Sequence, residues 1–276
     1  MSLTLGPGPL AFANREHLNL DLSDAPKHLL YLHDVEQRIR GMLAGESVVD
    51  TTAGKLLHES GMLPQWYLPL ADIRADFLVE SDTCTHCPFK GDASYYSLQV
   101  GDRLVEDAIW TYRTPLPAAA WLDGLGGFYF DRLDTWFEED DEVFAHPRDP
   151  FHRVDTHRTS RHVVVRAGGE TVADTTRAIA LYETGLSVRY YLPEEDVRTE
   201  LLSPSDTTSQ CAYKGTAGYR TLTVGAQTIV DAAWFYAKPF ADASQVAGYL
   251  SFAGTGIDIE VTDNSSTGAP RVAPSP

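Results

Sequence analysis

Cysteine is scarce in this chain: Cys84, Cys87 and Cys211 are the only three in 276 residues. An odd, sparse count argues against a disulfide-stapled secreted scaffold and fits a reducing compartment, so a cytoplasmic location is expected. Long hydrophobic runs are missing as well. Nothing approaches the roughly 20 apolar residues that span a bilayer, so no membrane partner is expected. The stretch Met1 to Asn14 has neither a basic start nor a long apolar core, and does not read as a secretory signal. Basic charge is in deficit, with 22 Lys and Arg against 39 Asp and Glu and a formal net charge of −17. Such a surface repels phosphate backbones and disfavours nucleic acid as a partner. There is no Gly-rich phosphate loop, and no Gly-Ser helix start followed by the Asp-x-Asp carboxylates that magnesium-dependent phosphoryl transfer needs. No cofactor is implied.

What is present is a repeat. Tyr67-Leu68-Pro69 recurs as Tyr191-Leu192-Pro193, 124 residues later. Cys87, Lys90-Gly91, Asp107-Ala108, Trp110, Tyr112 and Pro115 recur at the same spacing as Cys211, Lys214-Gly215, Asp231-Ala232, Trp234, Tyr236 and Pro239. A period this long marks duplicated domains rather than turns of a solenoid. Copy one is placed at 15–145 and copy two at 155–263. Glu138 to Glu142, followed by Pro147 and Pro150, reads as an acidic, solvated connector. The Ser-, Gly-, Pro- and Ala-rich tail, 264–276, reads as disordered. Two like domains in one chain also suggest a pseudo-two-fold pair, a covalent counterpart of a homodimer.

Within a copy the patterning is mainly β with short helices, a β-rich α+β class. His162 to Arg166, the Gly168-Gly169 turn and Thr171 to Asp174 form one expected hairpin. Ala217 to Val224 and Thr228 to Tyr236 form another, with a bulge because Tyr219, Leu222 and Val224 do not alternate. Short helices are expected over Pro193 to Leu202 and Ala241 to Leu250.

Two constellations could carry chemistry. Cys84 and Cys87 form a Cys-x-x-Cys pair, but Thr208 stands where the repeat would need a second Cys84, so dithiol chemistry is not shared. Zinc on Cys84, His86 and Cys87 lacks a second ligand pair, and no metal is expected. Cys87 or Cys211 could be a nucleophile helped by Lys90 or Lys214, or a small packing residue. The Lys-Gly step could be a turn with its lysine in solvent, or an anion anchor aimed into a pocket. Trp110 and Tyr112, like Trp234 and Tyr236, share a strand face; they serve either the core or the wall of a ligand cleft. Arg74 and Arg198 read as ion-pair partners, and His146, His152 and His157 as polar linker residues.

The stretches Cys-Pro-Phe-Lys-Gly-Asp-Ala-Ser-Tyr-Tyr (87–96), Tyr-Leu-Pro-x-x-Asp-Ile-Arg (67–74) and Asp-Ala-x-Trp-x-Tyr (107–112) resemble the bacterial domain-of-unknown-function family 427. That family is also filed under a nucleotidyltransferase-like name. The resemblance implies a compact β-rich domain, similar in general shape to tent-like β folds, and no settled activity. Asp131-Arg132 look like the family's Asp-Arg step, whereas copy two has Thr255-Gly256 at that place.

Two functions are therefore expected to compete. In the first, each copy binds a small anionic or polar ligand. Its residues would be Cys87, Lys90, Tyr95, Trp110, Tyr112 and Arg132 in copy one. In copy two they would be Cys211, Lys214, Tyr219, Trp234 and Tyr236. In the second, copy one is an enzyme using Cys87 with Lys90, Asp107 or Asp131.

Overall fold

The computed structural model describes residues 24–263, together with 3, 4, 8, 10, 11 and 19–22. The tail 264–276 lies outside the described residues. The chain divides into two units, Met1–His152 and Arg153–Pro276.

In the N-terminal unit the strands are β1 (Leu30–Asp34), β2 (Ile39–Leu43), β3 (Glu46–Thr51), β4 (Lys55–Glu59), β5 (Gln65–Pro69) and β6 (Leu78–Cys87). They continue with β7 (Gly91–Val100), β8 (Arg103–Thr111), β9 (Leu125–Phe128), β10 (Thr135–Glu138) and β11 (Asp141–Val143). A seven-stranded sheet runs in the order β1-β4-β5-β9-β8-β7-β6, and a four-stranded sheet in the order β11-β10-β2-β3.

The C-terminal unit repeats this with β12 (Val154–Arg158), β13 (His162–Ala167), β14 (Glu170–Thr175), β15 (Ile179–Glu183) and β16 (Arg189–Pro193). Then come β17 (Leu202–Cys211), β18 (Gly215–Val224), β19 (Gln227–Tyr236), β20 (Tyr249–Phe252) and β21 (Ile257–Thr262). Its large sheet runs β12-β15-β16-β20-β19-β18-β17 and its small one β14-β13-β21. The large sheet repeats the N-terminal order strand for strand at the repeat spacing, and the small one repeats β10-β2-β3 without a counterpart of β11 among the described residues.

Side-chain alternation explains why both faces of the large sheet are apolar. Successive residues of a strand point to opposite faces. Leu56, Trp66 and Leu68 join Ile39, Val48 and Trp136 of the small sheet in one core. Leu57 and Tyr67, one residue out of step, join Tyr95, Tyr112, Ala119 and Leu122 on the other face. The C-terminal unit divides in the same way, with Tyr190 and Leu192 on the small-sheet side and Leu181 and Tyr191 on the other. The second face is only partly covered by chain, and it carries the site.

The expected hairpins form. β13 pairs with β14 and β18 with β19, the latter with a register shift between Arg220 and Leu222. The expected helices are shorter and tighter: 3-10 turns at Glu194–Asp196, Thr199–Leu201 and Ala241–Val246. Arg74 pairs with Asp76 and Glu46, and Arg198 with Glu200 and Glu170. The acidic run is solvent-exposed from Glu139 to Glu142, but it belongs to the small sheet rather than to a free connector. Glu138 closes β10, Asp141 opens β11, and the turn between them is met by Arg38 and Arg40 at the start of β2. Arg40 Nη2 lies 2.9 Å from Asp140 Oδ1, and the Arg38 backbone N–H donates to Glu139 Oε1 at 2.9 Å. Farther on, Pro147 and Asp149 are buried. Composition shows the acidic run but not the arginines that tertiary structure brings to it.

Candidate functional site

The register of the large sheet sets one row of side chains on its open face. Tyr67 pairs with Gly127, Gly127 with Trp110, and Trp110 with Tyr95. Gly127 leaves a gap in this row, and the indole of Trp110 lies across it. A Cβ at Gly127 would meet Trp110 Cε2 at 2.3 Å, closer than any carbon contact allows. So placed, Trp110 Nε1 donates to the Tyr67 hydroxyl at 2.8 Å, and the two rings meet edge to face. In the C-terminal unit Trp234 Nε1 donates to the Tyr191 hydroxyl at 3.1 Å, with Ser251 at the place of Gly127.

Trp110 is aimed at this face by a bulge. Between Tyr96 and Leu98 the β7–β8 register slips, and Asp107 takes a left-handed backbone with φ 49°. The Ser97 hydroxyl accepts from the Asp107 N–H, and the Asp107 carboxylate accepts from the Thr83 hydroxyl at 2.8 Å. Asp231, φ 55°, repeats this and accepts from the Ser205 hydroxyl at 2.5 Å.

The Cys-x-x-Lys-Gly turn delivers the charge. The Lys90 N–H donates to the Cys87 carbonyl, the Lys90 carbonyl accepts from the Leu116 N–H, and Gly91 turns the chain at φ 108°. This geometry sends Lys90 inward to the end of β4. Its Nζ lies 2.5 Å from Glu59 Oε2, and the two side chains are 9% and 8% exposed. Glu59 Oε1 also lies 2.9 Å from His28 Nε2, and that imidazole stacks on Phe89. Lys214 and Glu183 form the same pair, also at 2.5 Å. A buried ion pair is tolerated only where the partners satisfy one another, because each desolvated charge alone costs several kcal/mol.

Above each pair lies a cavity, about 400 Å³ in the N-terminal unit and about 380 Å³ in the C-terminal one. Both are walled by the ion pair and the aromatic row, closed at the side by Leu57 and Tyr112 or by Leu181 and Tyr236. Burial raises the Tyr67, Tyr112, Tyr191 and Tyr236 phenols well above the ordinary tyrosine range, so they stay protonated at any physiological pH.

Of the residues picked out by sequence, Lys90, Tyr95, Trp110, Tyr112 and Asp131 line the first cavity, and Lys214, Tyr219, Trp234 and Tyr236 line the second. Asp231 lines the second as well, but its counterpart Asp107 does not line the first. Cys87 is half-buried against the apolar cluster beside the cavity and is not in its wall, and Cys211 is likewise outside the second. Arg132 is exposed and does not reach the cavity. His146 is not a solvated linker residue: it lines the first cavity, and burial lowers its imidazole below the usual value. His157 lies within β12. Sequence reasoning missed Glu59 and Glu183. Their signal was available, since they stand at the repeat spacing, each at the end of a strand before Gly61 or Gly185.

A domain-of-unknown-function model, DUF427, matches residues 31–139 and again 155–263. The chain belongs to the DUF427 family. It is a tandem member, and both matches contain a complete ion pair and aromatic row. No curated protein matches the sequence. Among the described residues of this DUF427 protein, no three His, Cys, Asp or Glu side chains converge as a metal-binding group, and no helix is long and apolar enough to cross a membrane.

Proposed function

We propose that each DUF427 copy in this chain is a small-molecule binding domain, taking a polar or anionic ligand into the cavity above its Glu–Lys pair. One observation carries the reading. Two compact units keep the same charged pair, the same Trp-to-Tyr hydrogen bond and a cavity of nearly the same size. A core alone does not need a buried ion pair, since apolar residues of like volume serve it as well or better. A ligand site does use a few polar groups set in an aromatic wall. The ammonium has donors left after its bond to the carboxylate, and the walls offer faces for stacking. The enzyme alternative through Cys87 draws no support from geometry, because that thiol is outside the cavity wall.

The test is a ligand-observed NMR screen of amino acids, hydroxy acids, sugars and nucleobases against the whole chain and a plugged variant, Met62→Trp with Leu186→Trp. These two rim residues are exposed and line the two mouths, so the plugs leave the cores intact. Saturable binding lost on plugging supports the proposal. No binder in the panel, or binders indifferent to the plugs, overturns it.

A further inference from the structure

The two cavities share a floor but not a mouth. Gln65 lines the first where Arg189 lines the second, and Asp131 lines the first where the repeat spacing places Thr255. Arg189 is held with its guanidinium 5.7 Å from the centroid of the Trp234 ring, a cation–π contact that fixes the side chain at the opening. It makes no ion pair among the described residues, although most arginines of this acidic chain do. The other charges of that cavity are already engaged: Lys214 with Glu183, and Asp231 with the Ser205 hydroxyl. Arg189 is therefore the one cation there whose forked donors remain open, and it lies beside an indole.

From this juxtaposition we infer that the two copies have diverged in the ligand charge they accept. The C-terminal cavity takes a planar carboxylate, its anion on Arg189 and its plane among Trp234 and Tyr219. The N-terminal cavity, with a neutral amide and the Asp131 carboxylate at its mouth, does not. A guanidinium grips a carboxylate through two parallel hydrogen bonds and holds its charge at any pH. Each lining carries one carboxylate beyond its ion pair, Asp131 in the first cavity and Asp231 in the second, so the discrimination comes from the extra cation, Arg189, which the first cavity lacks. The inference rests on the proposal that the cavities bind small molecules, and it adds the ligand class and the copy.

Benzoate and its neutral isostere benzamide test it, titrated into the nitrogen-15-labelled full chain. The indole N–H signals of Trp110 and Trp234 report each cavity separately, and assignments come from single Trp→Phe variants. Expected is saturable benzoate binding at Trp234 about tenfold or more tighter than at Trp110, with benzamide showing no such preference. Arg189→Gln should erase the preference, and Gln65→Arg with Asp131→Thr should confer benzoate binding on the first cavity. Benzamide binding at both sites with no benzoate preference overturns the inference and leaves the binding reading standing. No shift at either indole with either probe overturns both. A benzoate preference that survives Arg189→Gln overturns the role of Arg189.

Discussion

Glu59 and Lys90, 31 positions apart in sequence, meet 2.5 Å apart beneath a row of aromatic side chains, and neither is more than a tenth exposed. One comes from the end of a strand and the other from a hairpin turn. Three strands lie between β4 and β7 in the sheet, so neither sequence nor strand adjacency brings Glu59 and Lys90 together; only the tertiary fold does. Glu183 and Lys214 repeat the arrangement.

Because Glu59 is the carboxylate that meets the buried Lys90 ammonium, Glu59→Gln should strand that charge and destabilise the N-terminal unit by about 3–5 kcal/mol. Glu59→Leu combined with Lys90→Met should restore most of that loss. Urea unfolding of the three proteins decides it. A cost below about 1 kcal/mol for Glu59→Gln would mean the pair is hydrated, as exposed pairs are.

Gly127→Ala places a methyl group where the Trp110 indole lies. The ring must leave its seat and lose its bond to Tyr67, for a cost of about 1–3 kcal/mol from overpacking. Near-ultraviolet circular dichroism should change in the tryptophan band. Ser251→Ala, at the equivalent place, should change it little, since a side chain is already accommodated there.

Thiol labelling separates the cysteines. Cys84 is exposed, whereas Cys87 and Cys211 are half-buried. Iodoacetamide followed by intact mass should therefore modify Cys84 first, leaving the other two slow in the folded protein. Faster labelling of Cys87 would return the nucleophile reading to consideration.

His58 gives the protein a pH dependence. It is 1% exposed, and neither ring nitrogen has a hydrogen-bond partner among the described residues. Tyr31, His33 and Phe151 pack around its ring. Burial, with a smaller push from His33, lowers its value below the ordinary 6.5, against the opposing pull of Asp149. As pH falls through 6.5 the unfolded chain takes up a proton that the folded protein refuses. Stability from this group is thus complete above that pH and declines below it, by at most about 1.4 kcal/mol per pH unit. Unfolding measured from pH 7.5 to 5 should slope less in His58→Phe than in the parent protein. Equal slopes would show that His58 is protonated in place.

Much of the molecule was legible from spacing. The duplication, the β13–β14 and β18–β19 hairpins, the bulge before Trp234 and the lysine turn were all visible in residues near one another in sequence, where local geometry is enough. The acidic run at 138–142 is exposed as its composition suggests, but its place in the small sheet was not legible, because its arginine partners lie about 100 positions away and charge composition carries no partner information. For Cys87 the sequence left packing and pocket roles open. A half-buried thiol beside a cavity and one inside it have the same local sequence.

What sequence alone determined is that the chain is two copies of one β-rich domain, since a repeat preserved without a gap and period-2 patterning need no contacts to be seen. Tertiary structure alone decided that Lys90 faces Glu59 rather than solvent, that the aromatic row walls a cavity, and that the two mouths carry different charge. Strand register creates the aromatic row and the packing of distant strands creates the ion pair, and neither is set by any stretch of chain read in isolation.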